Sequence, residues 1–570
     1  MCGIAGFWSP SGLAAESSAI LKKMTDSIRH RGPDDEGHWL DSDAGVALGH
    51  RRLSIIDLSS AGHQPMTSEC GRYIIVYNGE IYNFAEIRGR LEHEGNAPDW
   101  RGHSDTEVLL AAITAWGFEK ALQRASGMFA IALWDRQERR IRLARDRMGE
   151  KPLYFGWISG QERPVFVFAS ELSAIERHPA FSPEIDPSAL NLLLRHNYIP
   201  APVSIYRNIR KLMPGCHAVV SGVHGEIEEQ PYWDFLDLAA RAGTGFAGTP
   251  EEAVEELDRL LRRSIGRQSV SDVPVGAFLS GGIDSSTVVS LMKQSGTRPV
   301  QTFSIGYSER GFDEAVYAKA VAAHLGTEHT ELYVTSEDAM SVVPELGRIY
   351  SEPFADSSQI PTFLVSALAR KHVTVSLSGD GGDELFGGYE RYRYASQYGG
   401  AILKCPEPLR QLGASAISAL PAGFWNAMRP GLGRRMDKIA KVLRKETVDE
   451  VYLELVSHFG DPRLISPWSQ AADPFAGRNM ERIAKLSPVE RMMASDSIHY
   501  LPDDILVKVD RAAMANSLET RVPLLDPEVI AFAWGLPLEY KIREGKTKWP
   551  LRQLLYRSVP KHLIERPKMC

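Results

Sequence analysis

Three groups of residues have types and spacings that could carry chemistry. Cys2 follows the initiator methionine and precedes small Gly3. Loss of Met1 would leave a thiol and an α-amine on one residue, and an amine titrating near ~8 can serve as base for the thiol. Ser280-Gly-Gly-Ile-Asp-Ser-Ser286 lies between an expected strand and an expected helix. Its glycines let backbone approach a phosphate, and the helix start offers unpaired N–H groups. The lysine of a Walker loop is absent from it. Ser378-Gly-Asp-Gly-Gly-Asp-Glu384 packs three acids, Asp380, Asp383 and Glu384, into a glycine-rich loop. Such a loop makes poor core and poor helix but suits Mg²⁺, which prefers carboxylate oxygens and bridges pyrophosphate.

The N-terminal cysteine belongs to an ordered series. Met1-Cys-Gly-Ile-Ala-Gly6 is followed by Arg29-His-Arg-Gly-Pro-Asp34, Gly49-His-Arg-Arg-Leu-Ser-Ile-Ile-Asp57, Tyr77-Asn-Gly-Glu-Ile-Tyr-Asn83 and Ser104-Asp105. This series resembles the glutaminase domain of class II amidotransferases, and most closely that of the glutamine-hydrolysing asparagine synthetases. The resemblance implies that Cys2 attacks the glutamine amide. Asn78 and the N–H of Gly79 would stabilise the oxyanion. Arg52 would hold the α-carboxylate, with Leu53, Ser54, Ile55 and Ile56 beside it, and Glu80 and Asp105 would hold the α-ammonium. Arg51 is an adjacent candidate, but the match through Leu53-Ser54-Ile55 favours Arg52.

The second and third groups resemble the nucleotide site of the N-type ATP pyrophosphatases. Leu279, Ser280, Gly281, Gly282, Asp284, Ser285, Ile305, Ser378 and Gly379 would then bind ATP. Asp284 and Asp383 would hold Mg²⁺. Asp380 and Glu384 would face the reacting carboxylate and the incoming amine, and Lys548 would contact phosphate or developing charge. The implied reaction adenylates a carboxylate, releases pyrophosphate and displaces AMP with ammonia from glutamine, delivered through an internal tunnel. Leu501–Asp526 also matches the family, yet a solvated helix face explains Lys508, Asp510, Arg511, Glu519 and Arg521 equally well.

Two features depart from the family. Asp380 stands where many asparagine synthetases have Glu, so a sugar-acid or peptide carboxylate stays open beside aspartate as acceptor. The chain ends at Glu565-Arg-Pro-Lys-Met-Cys570, where relatives continue through Gly-Phe-Gly, which reads as a truncated C-terminus. That ending is the only support for a reading of another class, a catalytically impaired binding or regulatory protein.

The elements that must position these groups follow from periodicity. Residues 1–205 mix strands, such as Gly127–Asp135, with helices over Glu86–Glu94 and Ser104–Trp116, an α+β pattern. The resemblance makes this an N-terminal-nucleophile (αββα) domain. Residues 206–249, rich in Pro, Gly and Ala, read as a connecting segment. From 250 onward, strands at Val273–Leu279, Val300–Ile305, Glu328–Val334 and Val373–Leu377 alternate with helices, an α/β doubly wound parallel sheet with a helical C-terminal part. The opening helix shows Thr249 as N-cap, Pro250 at its first position and Glu252 closing a capping box.

Composition limits the partners. The 570 residues carry a formal net charge of −7, which argues against nucleic acid. No apolar run approaches the ~20 residues of a membrane span. Five cysteines without a CxxC pair fit a reducing cytoplasm rather than a disulfide framework. The partners expected are therefore glutamine, ATP and a carboxylate, with a homodimer left open by the family's common dimers.

Overall fold

The structure is a computed structural model that describes residues 2–159, 164–221, 226–296, 299–307, 314–459 and 481–565. Residues 566–570, on which the expected truncation falls, lie outside the described residues.

The N-terminal region stacks two antiparallel six-stranded sheets. One runs Ile209–Lys211, Tyr154–Ile158, Val165–Ala169, Gly3–Trp8, Val46–Arg52, Asp35–Asp41 in spatial order. The other runs Glu226–Pro231, Cys216–Ser221, Arg140–Arg145, Gly127–Asp135, Tyr73–Ile81, Met66–Thr67. Side chains alternate across each strand. In Gly3–Trp8, Ile4 and Trp8 enter the core between the sheets, while Ala5 and Phe7 face the helix Ser17–Ser27. In Gly127–Asp135, Ala130, Ala132 and Trp134 face inward, and Phe129, Ile131 and Leu133 pack under the helices Phe84–His93 and Asp105–Trp116. Strands buried on both faces and covered by helices give four layers, αββα.

Three strands fall where a connecting segment was expected. Ile209–Lys211, Cys216–Ser221 and Glu226–Pro231 extend both sheets, so these three segments belong to the N-terminal layers. Their short length and flanking Pro and Gly masked a strand pattern. The helix Pro250–Gln268 then opens as its sequence predicts. The Thr249 hydroxyl accepts from Glu252 N at 3.2 Å, Glu252 Oε2 accepts from Thr249 N at 2.7 Å, and Val254, Leu257, Leu260, Leu261 and Ile265 are buried.

The C-terminal region is built on a parallel sheet ordered Glu328–Val334, Gln301–Tyr307, Val275–Phe278, Val375–Leu377, Glu519–Arg521. The chain leaves Val275–Phe278 toward one side and returns on the other, so the order reverses between Val275–Phe278 and Val375–Leu377. Ligands bind at such a reversal, beyond the carboxyl ends of the strands. Ser280–Ser286 and Ser378–Glu384 both emerge there. Glu519–Arg521, too short to be read as a strand, closes the sheet on the side facing the N-terminal region.

The two regions meet through buried charge. Arg31, 0% exposed, donates from Nη1 to Glu171 Oε1 and Asp510 Oδ2, both at 2.9 Å, and from Nη2 to Asp510 Oδ1 at 3.1 Å. Lys151 Nζ lies 3.6 Å from Asp510, and Arg511 Nη1 donates to it at 2.9 Å. Asp510, Arg511, Glu519 and Arg521 are thus buried, and the solvated-face reading of Leu501–Asp526 does not hold for them.

Burial alone would raise the Asp510 carboxyl, but Arg31, Lys151 and Arg511 outweigh it and hold the group at about 2, below its ordinary 3.8. A depressed carboxylate contributes stability that is fully present above the unfolded value and lost as pH falls through the folded one. Thermal stability should therefore drop as pH falls from about 4 toward 2, with Asp510 contributing to the drop. Asp510→Asn, which leaves Arg31 short of a buried counter-charge, should cost about 3–5 kcal/mol at neutral pH. Denaturant titration of both proteins at pH 7 and pH 3 reads the two effects; equal losses at both pH values would exclude the linkage.

Candidate active sites

Cys2 precedes the strand Gly3–Trp8, and Asn78 lies on Tyr73–Ile81 of the facing sheet. The Cys2 backbone N–H donates to Asn78 Oδ1 at 2.8 Å, and no acceptor among the described residues reaches Asn78 Nδ2. An amide N–H₂ left unpaired beside a nucleophile is what an oxyanion needs. Burial pushes the Cys2 thiol up, with the Leu53 N–H and Arg52 pulling against it. A thiol so raised needs a base at hand.

A cavity beside Cys2 is lined by Arg52, Leu53, Ile55, Ile56, Gly79, Glu80 and Asp105 of the expected set, joined by Gly62, Gln64, Tyr77, Ser104 and Thr106. Ser54 does not line it and instead donates its N–H to Asp34 Oδ2 at 2.9 Å. Arg52 is fixed by the Ser59 carbonyl, 2.9 Å from Nη1, and by the Asp57 carbonyl. Asp105 accepts from Tyr77 Oη at 2.6 Å and Ile81 N at 2.9 Å. Burial and the neighbouring Asp105 push Glu80 well up, with Arg521 opposing. One guanidinium and two carboxylates therefore face a space where a zwitterion would relieve the repulsion between the acids. The cavity holds ≈ 30 Å³. Gln64, which accepts from Tyr77 N at 2.7 Å and donates to Thr106 Oγ1 at 3.3 Å, went unread because no local pattern marks it.

At the reversal of the parallel sheet, a second cavity of ≈ 390 Å³ is lined by Ser280, Gly281, Gly282, Asp284, Asp383, Lys548 and Arg552. The helix Ile283–Ser295 begins there without a side-chain cap, leaving its first N–H groups to a ligand. Ser285 Oγ braces the loop, 3.2 Å from Ser280 N and 3.0 Å from Ser280 Oγ. Leu279 is buried beneath it and Ile305 is half-buried on the adjacent strand. Gly379 presses the second loop onto the first, since a Cβ there would meet Ser285 N at 2.6 Å. Ser378 Oγ bonds Asp380, and Tyr389 Oη donates to Glu384 Oε1 at 2.7 Å. Burial and the adjacent Asp383 push Glu384 up to about 8.

Lys548 Nζ sits between Asp284 and Asp383, at 2.8 Å from Asp383 Oδ1. Burial opposes its charge, but the two carboxylates hold it protonated. Lys548 also occupies the left-handed region at φ 54°, uncommon for a residue with a side chain. Two carboxylates already gathered on a cation suit Mg²⁺, which binds through one or two protein acids and substrate phosphates.

Arg521 connects the sites. Its Nη2 lies 3.4 Å from Glu80 Oε2 and its Nε 2.7 Å from Glu519 Oε1. Its carbonyl accepts from Ser378 N at 2.9 Å. One residue thus touches a wall of the first cavity and the base of the acidic loop at the second.

Comparison with known proteins agrees with both halves. The family described as asparagine synthase matches residues 256–570, and the glutamine amidotransferase domain matches residues 1–233. Asparagine synthetase (glutamine-hydrolyzing) 1 of Bacillus subtilis is 34% identical over 100% of this chain and 86% of its own length. Asparagine synthetase (glutamine-hydrolyzing) 3 of the same organism is 27% identical over 100% and 86%, and the Penicillium rubens protein named amidase chyE is 27% identical over 95% and 83%. With an amidotransferase cavity at one end, a pyrophosphatase-like loop at the other and this similarity along its length, the chain belongs to the asparagine synthase family of glutamine-dependent ligases.

Proposed function

We infer that the protein converts L-aspartate, L-glutamine, ATP and water to L-asparagine, L-glutamate, AMP and pyrophosphate, in the cytoplasm. The observation that carries this reading is the pairing of a cysteine-and-zwitterion cavity with a phosphate loop bordered by three acids, joined through Arg521. Cys2, once its α-amine is free, attacks the glutamine amide, and Asn78 Nδ2 with the Gly79 N–H receives the oxyanion. Arg52, Glu80 and Asp105 hold the backbone groups of glutamine. At the second cavity the acceptor carboxylate attacks the α-phosphate. The N–H groups opening Ile283–Ser295 and Lys548 face the departing pyrophosphate. Asp284 and Asp383 would hold Mg²⁺, which neutralises phosphate charge when bound. Ammonia then displaces AMP from the acyl-adenylate beside Asp380 and Glu384.

Passage of ammonia through the interior is part of this reading. It is supported by the continuous apolar cluster that holds Leu53, Ile55 and Ile56 of the first cavity together with Met128, Met148, Val522 and Leu524. Interception of the ammonia by external hydroxylamine during coupled turnover would rule that route out.

Two variants separate the half-reactions. Cys2→Ala should abolish glutamate formation while AMP formation driven by ammonium salts stays within a few-fold of normal. Lys548→Ala should lower AMP formation by about a hundredfold or more while glutamine hydrolysis persists. The acceptor is read by AMP and pyrophosphate formation from ATP, glutamine and Mg²⁺ with and without aspartate. Aspartate-dependent AMP with matching asparagine is expected; glutaminase activity with no response to aspartate would move the assignment to another carboxylate.

A further inference from the structure

Asp57 closes the motif Gly49-His-Arg-Arg-Leu-Ser-Ile-Ile-Asp57 without lining the first cavity. It is 1% exposed and stands in the left-handed region at φ 59°, where few residues other than glycine settle. Aspartate tolerates that conformation when its short carboxylate bonds backbone close by. Here Asp57 Oδ1 accepts from Ser59 N at 3.1 Å, and Oδ2 accepts from His103 N at 2.9 Å. The turn brings the Asp57 carbonyl to Arg52 Nη2, on the side chain expected to receive the glutamine α-carboxylate.

The Asp57 N–H finds its acceptor in the other half of the chain. Asp272 Oδ2 accepts from it at 2.8 Å, and the Asp272 N–H donates in return to the Ile55 carbonyl at 2.9 Å. Two bonds of opposite sense thus clasp Ile55–Asp57, and Ile55 and Ile56 are walls of the cavity. The same Asp272 oxygen lies 3.0 Å from His103 Nε2. His103 precedes Ser104 and Asp105, which line another part of the cavity and open the helix Asp105–Trp116. These two loops are pressed together, since a Cβ on Gly102 would meet Asp57 Oδ2 at 2.1 Å.

Asp272 sits between the helix Pro250–Gln268 and the strand Val275–Phe278, which leads into the phosphate loop. Arg521 fixes that stretch from the other side, donating from Nη1 to the Gln268 carbonyl at 2.7 Å and the Val270 carbonyl at 2.8 Å. The Asp272 side chain is 42% exposed, so water competes for its bonds and its effect is moderate. A merely solvated carboxylate would nevertheless not gather donors from two separate loops on one oxygen.

We propose that Asp272 is a positioning residue for glutamine. This carboxylate of the ligase half holds Asp57 in its turn, and through Asp57 it holds Arg52 against the α-carboxylate of the substrate. The inference rests on the glutaminase reading of the Cys2 cavity, and it adds a residue from outside the matched amidotransferase domain of residues 1–233. Without Asp272, the Asp57 N–H loses its acceptor and the backbone is free to leave the left-handed region. The Asp57 carbonyl then withdraws from Arg52, whose remaining anchors are the carbonyls of Ser59 and Ile56. Asn78 and Gly79 lie on the strand Tyr73–Ile81 and Cys2 precedes Gly3–Trp8, so the groups of the chemical step keep their places. Glutamine binding falls while its hydrolysis, once bound, does not.

The test is glutamate formation from glutamine by the full chain, by Asp272→Ala, Asp272→Asn and Arg52→Lys, and by the double variant Arg52→Lys with Asp272→Ala. Asp272→Ala should raise the KM for glutamine about tenfold. It should leave kcat for glutamate formation, and AMP formation driven by ammonium salts with aspartate, within a few-fold of the unaltered protein. Asp272→Asn, which keeps an acceptor oxygen, should recover most of the lost affinity. Because Asp272 acts through Arg52, the double variant should have a KM for glutamine close to that of Arg52→Lys alone. An unchanged KM in Asp272→Ala overturns the assignment, and so does a double variant in which the two losses simply multiply. A parallel fall in ammonium-driven AMP formation also overturns it, because a loosened ligase half would produce that result. No glutamate from the unaltered protein overturns the glutaminase reading together with this one.

Discussion

The guanidinium of Arg31, with no exposure to solvent, is shared among three parts of the molecule that must agree in position. Its Nε donates to the Cys2 carbonyl at 3.1 Å, Nη1 is divided between Glu171 and Asp510, and both Nη1 and Nη2 engage Asp510. A planar fork of five donors satisfies such an arrangement in one geometry only. Cys2, the N-terminal sheet and the helix Leu506–Met514 of the C-terminal region are therefore set by one side chain. Buried ion pairs of this kind are modest in net stabilisation, because desolvation offsets attraction, but leaving one member unpaired is severe. Their effect is to fix register between the two regions rather than to glue them together.

The acidic loop Ser378–Glu384 depends on that register. Its first residue hangs from the Arg521 carbonyl, and Arg521 in turn faces Glu80. The cavity lined by Ser280–Asp284 and Lys548 lies on one side of the loop. Lys548 gathers Asp284 and Asp383, so charge is already organised at that cavity. Glu384, pushed up by burial and Asp383, accepts from the Tyr389 hydroxyl on the same loop.

Much of this was legible in the residues. Alternation and glycine-rich punctuation located Gly127–Asp135 and Glu328–Val334 to the residue, and the Thr249–Glu252 capping box marked the start of a helix. The motif residues of the first site other than Ser54 and Asn78 line one cavity because they sit on adjoining strands and their loops. What stayed hidden depended on distant partners. Polar residues in Leu501–Asp526 read as a wet surface, since Arg31 and Glu80, their counter-charges, lie more than four hundred positions away in sequence. Glu519–Arg521 spans three residues, below what a period of two can reveal. Two of the strands within 206–231, Ile209–Lys211 and Glu226–Pro231, looked like linker because they are edge strands, which tolerate the same polar and proline-containing composition.

Arg521 has a consequence for how such a molecule can be inherited. Its side chain serves the amidotransferase half and its carbonyl serves the ligase half, while Asp510 answers to Arg31 across the same boundary. A recombination event that joined this N-terminal half to a ligase half from another lineage would match only if the incoming segment brought equivalents of both residues at the same spacing. The two halves look like interchangeable modules when their folds are drawn separately. The charges buried between them make the pair a single hereditary unit, which can diverge in acceptor but not readily in partner half.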